Sequence, residues 1–443
     1  MGRYFLETYG CQMNVADSEL VAGIMKREGY TKTGSPVDAD VIFLNTCAIR
    51  EHAEEKIYSR LGTLKEFKER KPELLLGILG CMGQHVKNDL LDRKSYLDFV
   101  LGPDSYRRIP ELLNRRMVLG DSIVDTRLSR FEVYDGLFPS RAQGINAWIS
   151  IMRGCDKFCT FCIVPFTRGR ERSRSVVSIV QEIRTAVDEG FVEITLLGQN
   201  VNSYQHDGAR FPDLLDSVAR IPGVLRIRFT SPHPKDVDDR MLLVMRDHDT
   251  ICKAIHLPLQ AGADRILRRM NRTYTQSEYL SQVERIRQIV PGCALSTDII
   301  VGFPGETHHE FEQTLKVMET VKFGSAFTFK YSPRPGTKAA EYPLQVPEKE
   351  KQDRLEEVIR FQREHTYLTN KREIGRTLEV LVEKDSKKSS SMWVGRTDTN
   401  KWVIFPKGDE RVKDLVKVRI MEAHGISLFG ERVENMEYSR APG

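Results

Sequence analysis

Short apolar segments alternate with amphipathic helical segments along most of this 443-residue chain. In the first part of the chain, strands are predicted at Tyr4–Tyr9, Val41–Asn45 and Leu74–Leu79, and helical periodicity covers Asp17–Glu28 and Glu51–Glu69. Parallel strands need a crossover connection, which is usually a helix. The alternation therefore predicts an open parallel sheet wound with helices.

A second series of strands and helices follows a polar stretch that is predicted to be a linker. Six βα units favour a partial or full barrel, with functional loops at the carboxyl ends of its strands. The predicted strands are Ala147–Met152, Glu193–Leu197, Arg226–Thr230, Ala254–Leu259, Leu295–Val301 and Ala326–Tyr331.

From Gly375 the sequence changes to short β-rich runs separated by turns, which predicts a small closed β-barrel of the OB type. The fold class is thus α/β with a C-terminal all-β barrel. The predicted boundaries are 2–118 for the first α/β domain, 119–140 for the linker, 141–371 for the barrel domain and 374–437 for the β-barrel.

Composition restricts where the protein acts and what it binds. The formal net charge of +5 is mild, so binding to a nucleic acid would depend on local clusters of charge. No apolar run approaches the roughly 20 residues needed to span a bilayer. The first residues also lack the order of a signal peptide, and we therefore expect a cytoplasmic protein.

Three of the eight cysteines lie on one loop after a predicted strand, in the spacing Cys155-x3-Cys159-x2-Cys162. Three thiolates can bind three irons of a 4Fe-4S cluster and leave the fourth iron open to the amino and carboxylate groups of S-adenosylmethionine (SAM). Zinc is the alternative, but it normally needs four ligands, and no fourth Cys or His follows at a suitable distance. The spacing resembles the signature of the radical-SAM superfamily, in which an aromatic residue at the position of Phe161 lies beside the SAM adenine.

Three further cysteines are dispersed, but each follows one of the first three predicted strands: Cys11, Cys47 and Cys81. The carboxyl ends of parallel strands share one edge of a sheet, where ligands collect. The sequence therefore predicts a second three-cysteine cluster site. Cys252 and Cys293 lack such a context and are expected to be inert, buried thiols.

With these residues in view, the chain resembles the radical-SAM methylthiotransferases over nearly its whole length, as a cluster domain, a radical-SAM domain and a TRAM domain. It is most similar to the branch that acts on N6-(dimethylallyl)adenosine in tRNA, because sister branches differ in the segment G-Q-N-V-N-S-Y. The motifs that carry the resemblance are T-Y-G-C-Q-M-N (Thr8–Asn14), N-T-C-A-I-R-E (Asn45–Glu51), C-T-F-C-I-V-P-F-T-R-G-R-E-R-S-R (Cys159–Arg174), L-L-G-Q-N-V-N-S-Y (Leu196–Tyr204) and V-G-F-P-G-E-T (Val301–Thr307).

The resemblance implies an enzyme with two 4Fe-4S clusters that adds a methylthio group to that nucleoside at tRNA position 37. One SAM would donate a methyl group and a second would yield a 5′-deoxyadenosyl radical, so no catalytic side chain is assigned. The implied partners are the anticodon stem-loop of tRNA and a low-potential electron donor such as flavodoxin or ferredoxin, and the implied state is a monomer. Threonylcarbamoyladenosine in tRNA or a ribosomal-protein aspartate are alternative substrates, and an iron–sulfur protein without turnover is the alternative class.

Candidate contacts to SAM follow from the same resemblance, and candidate contacts to RNA follow from basic residues that lie near aromatic ones. For each SAM candidate, a role in a turn or in packing is the alternative, and for the arginines it is a salt-bridged loop. The SAM candidates are Phe161, Gly198, Gln199, Asn200, Ser231, Gln260, Gly302 and Glu306. The RNA candidates are Arg168, Arg170, Arg172 and Arg174 in the loop after the cysteines, and Lys388 and Lys401 in the TRAM domain.

Overall fold

The N-terminal domain is an open sheet of six parallel strands in the order β2-β1-β3-β4-β5-β6. The computed structural model describes residues 2–47 and 51–433. The strands are β1 (Arg3–Tyr9), β2 (Thr31–Lys32), β3 (Val41–Thr46), β4 (Leu75–Gly80), β5 (Phe99–Leu101) and β6 (Ile123–Asp125). The helices are α1 (Gln12–Arg27), α2 (Glu51–Arg70), α3 (Cys81–Val86), α4 (Asn88–Arg93) and α5 (Ile109–Leu119).

Helices cover both faces of this sheet, and this explains why its central strands read as continuous apolar runs. Every residue of β3 and of β4 is buried. On one face, α1 and α5 form a core with Phe43 and Phe99. On the other face, α2 packs Ile57 and Leu61 against the sheet. The predicted strands at Val41–Asn45 and Leu74–Leu79 agree with β3 and β4 to within one residue at each end.

The stretch predicted as a linker differs from that expectation, because much of it packs on the N-terminal domain. Residues 123–125 form the edge strand β6, which pairs with β5. Tyr134 and Leu137 are 3% and 6% exposed and lie in the core that contains α1. A three-residue strand is too short to produce a recognisable period of two in the sequence. The predicted domain end at 437 lies outside the described residues.

The middle domain is a partial barrel of six parallel strands, as the sequence predicts. Two three-stranded sheets, β7-β10-β13 and β14-β15-β16, are joined by a parallel bridge between Ile227 and Ile251. The strands of the domain, two short ribbons included, are β7 (Asn146–Ser150), β8 (Met152–Arg153), β9 (Arg172–Ser173), β10 (Glu193–Leu197), β11 (Gln205–His206), β12 (Ala209–Arg210), β13 (Arg226–Phe229), β14 (Ala254–His256), β15 (Ala294–Val301) and β16 (Ser325–Lys330).

Helices surround this barrel and close its apolar core. Thr275 and Thr307 cap α11 and α12 in capping boxes with Glu278 and Glu310, which fixes where these helices begin. The helices are α6 (Val164–Arg168), α7 (Val176–Asp188), α8 (Phe211–Ala219), α9 (Asp239–Asp247), α10 (Asp264–Arg269), α11 (Gln276–Ile289), α12 (His308–Val321) and α13 (Glu348–Lys371). Among the described residues, no helix is both long and apolar enough to cross a membrane.

The C-terminal domain is a closed five-stranded barrel in the order β17-β18-β19-β21-β20, as the β-rich pattern predicts. Its interior contains alternate residues of each strand, such as Val380 and Val382, together with Phe405. The strands are β17 (Thr377–Ser386), β18 (Ser389–Thr397), β19 (Trp402–Pro406), β20 (Leu415–His424) and β21 (Ser427–Arg432).

This small barrel packs on the amino-terminal end of the middle-domain strands. Glu193, the first residue of β10, accepts hydrogen bonds from Arg228 Nε and Arg396 Nη2, both at 2.8 Å. The nearby Arg226 donates to the carbonyl oxygens of Glu379 and Arg396. Burial acts to raise the pKa of Glu193, but the two guanidinium groups on its carboxylate hold that pKa below its usual value. A buried ionic contact therefore fixes the position of the C-terminal domain.

We predict that Glu193→Ala lowers the free energy of unfolding by about 3–5 kcal/mol, because it leaves the Arg228 guanidinium buried without its carboxylate. Urea unfolding followed by circular dichroism measures the change. Asp353→Ala is the matched control, since Asp353 pairs with Lys349 on an exposed helix face and should contribute less than about 1 kcal/mol. Equal effects of the two substitutions would contradict the assignment.

Candidate functional site

The three dispersed cysteines meet at the carboxyl edge of the N-terminal sheet. Cys11 follows β1, Cys47 follows β3 and Cys81 begins α3 directly after β4, and these strands are neighbours. A hydrogen bond from the Cys47 thiol lowers the pKa of Cys11 to about 5, although burial opposes this shift. Burial raises the pKa of Cys81, and a thiolate at Cys11 acts in the same direction. The order of the strands thus brings the three cysteines to the same edge of the sheet, as the sequence predicts.

The other three cysteines lie on the loop between β8 and α6. Cys155 N–H donates to the carbonyl oxygen of Gly169 at 3.1 Å, and Cys162 N–H donates to that of Cys159 at 3.0 Å. Burial raises the pKa of Cys155 to about 11 and that of Cys162 to about 12. Arg272 Nη1 lies 3.5 Å from Cys159 Sγ, so a buried cation from the segment after α10 faces one sulfur of the loop.

Glycines before two of the cysteines permit backbone conformations that other residues rarely adopt. Gly80 has φ +91°, and Gly154 has φ +81°. A Cβ on Gly154 would collide with the carbonyl oxygen of Arg170, and one on Gly80 would lie 2.5 Å from Asn45 Oδ1. These two positions therefore require glycine, since both the left-handed conformation and the lack of space exclude a side chain.

Each triad supplies three thiols, which is the donor chemistry of an iron–sulfur cluster. In the part of the chain that the structure describes, no three His, Cys, Asp or Glu side chains converge closely enough to hold one ion. In a 4Fe-4S cluster each cysteine binds a different iron, so its ligands lie further apart than the ligands of one ion. Three thiols at each site also suit a cluster that keeps one iron open.

One large cavity borders both triads. It has a volume of about 2760 Å³ and is lined by Cys11 and Cys47 from one triad and by Cys162 from the other, with Phe161 and Trp148 beside them. Small-molecule sites usually occupy about 300–1,000 Å³, so this space can admit part of a larger substrate as well as a cofactor. The cavity also extends along the inner wall of the barrel to residues of the C-terminal domain.

The inner wall of the barrel carries polar groups that the sequence reasoning did not single out. His256 Nδ1 lies 3.0 Å from Ser296 Oγ, and His256 Nε2 lies 3.3 Å from Asp298 Oδ1. The Phe327 ring packs edge-on against the His256 ring and is 57% exposed to the cavity. The signal that could have placed Ser296 and Asp298 together is their spacing of two residues in a predicted strand, which puts both on one face, and burial alternates along β15 accordingly.

Of the predicted SAM contacts, Phe161, Ser231 and Gln260 line the cavity. Ser231 and Gln260 have positive φ angles of 58° and 68°, which marks both as tight strand-end turns. Phe161 packs edge-on against Phe303, with 6.5 Å between the ring centroids. Contact of these three residues with SAM remains a prediction that the geometry permits.

Gly198, Gln199 and Asn200 at the end of β10 support the site in ways that the sequence did not predict. Gln199 Oε1 accepts a hydrogen bond from Gly154 N–H at 2.6 Å and thereby holds the cysteine loop. Asn200 Nδ2 donates to Asp236 at 2.8 Å, and Asn200 is fully buried. Gly198 leaves the space that the Met152 side chain occupies.

Gly302 and Glu306 differ from the prediction that they face the cavity. The Glu306 side chain is 1% exposed, accepts from Gly302 N–H at 2.6 Å and pairs with Arg354 at 2.7 Å. Burial raises the pKa of Glu306 to about 7, although these partners oppose the shift. A carboxylate already bound by a guanidinium and a backbone N–H fixes the turn, so we do not retain Glu306 as a SAM contact.

The four arginines predicted to bind RNA divide into one exposed and three buried side chains. Arg170 is 65% exposed, pairs with Asp156 and lies over the Phe158 ring, 5.1 Å from its centroid. The guanidinium groups of Arg168, Arg172 and Arg174 are instead bound by carboxylates inside the protein and cannot reach a phosphate. The prediction that these three arginines bind RNA is therefore wrong. The buried ion pairs are Arg168 with Asp17, Arg172 with Asp104, and Arg174 with Asp135 and Glu182.

The two lysines of the C-terminal domain divide in the same way. Lys388 is exposed in the turn between β17 and β18 and remains a candidate for RNA contact. The Lys401 side chain is 11% exposed and pairs with Glu373 at 3.0 Å. Lys401 therefore joins β19 to the end of α13, which differs from the predicted role in RNA binding.

Sequence reasoning also missed a buried carboxylate between the two cysteine-bearing domains. Asp17 on α1 is fully buried and accepts hydrogen bonds from Arg153 and from Arg168, the latter at 2.8 Å. Both arginines belong to the middle domain. An acid on the face of α1 that also contains the buried Met13 and Ala16 was the only signal in the sequence.

Comparison with known proteins defines the class. Residues 3–102 match the uncharacterized protein family UPF0004, residues 149–318 match the radical SAM superfamily and residues 371–433 match the TRAM domain. The chain is therefore a radical-SAM protein with an N-terminal UPF0004 domain and a C-terminal TRAM domain.

Relatives define the family more narrowly. The chain is 49% identical over 439 residues to the tRNA-2-methylthio-N(6)-dimethylallyladenosine synthase of Parabacteroides distasonis, which covers 98% of this chain and 96% of the relative. It is 48% identical over 442 residues to the protein of the same name from Porphyromonas gingivalis, which covers 98% of this chain and 95% of the relative. The chain belongs to this family of tRNA-modifying enzymes.

Solved structures agree with the fold. The radical S-adenosylmethionine methyltransferase TsrM from Kitasatospora setae aligns with a TM-score of 0.59 at 13% identity, over 77% of both chains. The cobalamin-dependent S-adenosylmethionine radical enzyme OxsB aligns with a TM-score of 0.53 at 12% identity, over 83% of this chain and 57% of that one. At these identities the likeness concerns the fold alone.

We predict that Gly154→Ala strongly reduces the iron bound after anaerobic reconstitution, because the added methyl group displaces the loop of Cys155 from Arg170. Gly208→Ala is the matched control, since Gly208 has φ +83° but open space around it. Its free energy of unfolding should fall only by the roughly 1–2 kcal/mol that a side chain costs in the left-handed conformation, and it should bind iron normally. Iron assays and thermal unfolding measure both effects, and normal iron content in Gly154→Ala would contradict the packing argument.

Proposed function

We propose that the chain converts N6-(dimethylallyl)adenosine at tRNA position 37 to 2-methylthio-N6-(dimethylallyl)adenosine. The observation that carries the proposal is a cavity that thiols of both triads border. Cys155, Cys159 and Cys162 would hold one 4Fe-4S cluster, and Cys11, Cys47 and Cys81 a second. When bound, these groups and two molecules of SAM supply a 5′-deoxyadenosyl radical and a methylated sulfur.

The residues of the chain contribute placement and protection from water. Trp148 and Phe161 form an apolar part of the cavity wall, while Ser231 and Gln260 add polar groups at the strand ends. Apolar wall beside a radical reaction would suppress side reactions with water. No proton transfer by a side chain is proposed, because the clusters and SAM carry the chemistry.

The choice of substrate follows from the family, since the relatives at 45–49% identity carry the name of this synthase. The segment 332–339 is a candidate for reading the substrate. Its position supports this, because Ala339 N–H donates to the carbonyl oxygen of Thr160 on the cysteine loop at 2.9 Å. Substrate-reading residues there would lie directly beside the site. Threonylcarbamoyladenosine in tRNA or a ribosomal-protein aspartate are the alternative substrates that the test below must exclude.

The proposed partners follow from this reaction. We propose that the anticodon stem-loop of tRNA enters the cavity, with Arg170 and Lys388 as exposed phosphate contacts. A low-potential donor such as flavodoxin or ferredoxin would reduce the cluster that binds SAM. We further propose a monomer that acts in the cytoplasm, where tRNA is found.

The proposed function predicts a specific product. Anaerobically reconstituted protein with dithionite, SAM and tRNA containing N6-(dimethylallyl)adenosine should yield a nucleoside heavier by a methylthio group, detected by mass spectrometry after digestion. Transfer RNA containing threonylcarbamoyladenosine is the matched control and should remain unmodified. Methylthiolation of the control tRNA alone would show that the substrate is assigned wrongly.

We predict that Cys11→Ala still cleaves SAM to 5′-deoxyadenosine but loses methylthiolation, because it removes a ligand of the second cluster and leaves the first intact. Both products are measured in one chromatographic run. Cys252→Ala is the control, since Cys252 is a buried thiol away from both triads and should retain both activities. Unchanged methylthiolation by Cys11→Ala would contradict the proposal of a second cluster.

A further inference from the structure

We propose that Arg168 is a positioning residue for the second cluster, which it tunes through a hydrogen bond to the sulfur of Cys81. The inference rests on the proposed function, because it presumes that Cys11, Cys47 and Cys81 hold a cluster. Arg168 belongs to the middle domain and follows Cys162 by six residues. A residue adjacent to the first triad would thus act on the second one.

The contact joins two helix ends. Arg168 is the last residue of α6, and Cys81 is the first residue of α3, so the packing of α3 on α6 brings them together. Arg168 Nε donates to Cys81 Sγ at 3.2 Å. Arg168 is 3% exposed and Cys81 is 3% exposed, so water does not compete for this hydrogen bond.

Asp17 fixes the orientation of the guanidinium group. Arg168 Nη2 donates to Asp17 Oδ2 at 2.8 Å, and Asp17 also accepts from Arg153. The guanidinium is planar, so an anchored Nη2 sets the direction of Nε–H as well. The same plane that pairs with Asp17 therefore aims a donor at the cysteine sulfur.

A second observation points to an acceptor at this site. Arg168 Nη1 is buried and has no hydrogen-bond partner among the residues that the structure describes. Buried donors are nearly always paired, because an unpaired one loses its hydration without compensation. Arg168 also interacts electrostatically with both Cys11 and Cys81. A sulfide of a cluster held by these cysteines would supply an acceptor of the required charge.

The physical effect has a definite sign. A cationic donor on a ligand sulfur stabilises the reduced, more negative form of a cluster, and hydrogen bonds to the sulfurs are among the factors that set cluster potentials. Arg168 should therefore raise the reduction potential of the second cluster. It should leave the potential of the first cluster unchanged, where Arg272 makes the contact to sulfur.

A purely structural role for Arg168 predicts a different result. In that case the guanidinium would only join the two domains through Asp17, and its loss would change stability without changing a potential. Arg172 provides the matched control, since it is buried at the same interface and pairs with Asp104 at 2.9 Å. Its other hydrogen bonds go to the carbonyl oxygens of Glu132, Arg168 and Arg170 rather than to sulfur.

The test is a redox titration followed by electron paramagnetic resonance on the full chain in which Cys155, Cys159 and Cys162 are replaced by Ala, so that one cluster gives the signal. In this background Arg168→Gln should shift the midpoint potential to a more negative value. Arg168→Lys keeps the charge but loses the planar donor, and it should shift the potential in the same direction. Arg172→Gln should leave the potential unchanged.

Each outcome decides the inference. A midpoint potential that is unchanged in Arg168→Gln overturns it, and if that variant binds no iron, an unchanged potential in Arg168→Lys overturns it instead. An equal shift in Arg172→Gln also overturns it, because the effect would then belong to the interface in general. Absence of iron from the background chain itself would overturn the second cluster and this inference together.

Discussion

The buried carboxylate of Asp17 is the contact on which the relation between the two cysteine sites depends. It accepts hydrogen bonds from Arg153 and Arg168, while Asp17 itself belongs to the N-terminal domain. Taking such ions out of water costs several kcal/mol each, so pairing roughly offsets the cost rather than adding much net stability. Removing one partner alone destabilises the protein strongly, because the other charge then stays buried without compensation. The contact consequently selects one orientation of the two domains more than it strengthens their association.

That orientation packs apolar groups of both domains together beside the cavity. Met13 and Ala16 of α1 pack against Leu197 at the carboxyl end of β10, and Trp148 and Cys11 border the same cluster of side chains. The N-terminal domain therefore covers the carboxyl end of the barrel, where a βα barrel normally builds its active site. Two sheets, each with thiols at its strand ends, then border one cavity.

The sequence predicts the elements whose physical signal is local, and it fails where the answer depends on packing between domains. Cys11, Cys47 and Cys81 could be grouped because parallel strands align their carboxyl ends, which needs no side-chain detail. Arg168 could not be assigned, because an arginine in a polar loop has the same local pattern whether it meets a phosphate or a buried Asp17. The sequence likewise predicts Glu306 to face the cavity, because nothing near Glu306 in the sequence reveals its pairing with Arg354 on α13.

Different domains cover the two ends of the barrel. The N-terminal domain closes the carboxyl end, and the TRAM domain is held at the amino end by Glu193 and its arginines. The cavity nevertheless reaches Arg396 and Trp402 of the TRAM domain as well as the cysteines. A long substrate can therefore contact the TRAM domain while one nucleoside reaches the thiols. The cavity thus connects the two ends of the barrel that the flanking domains cover.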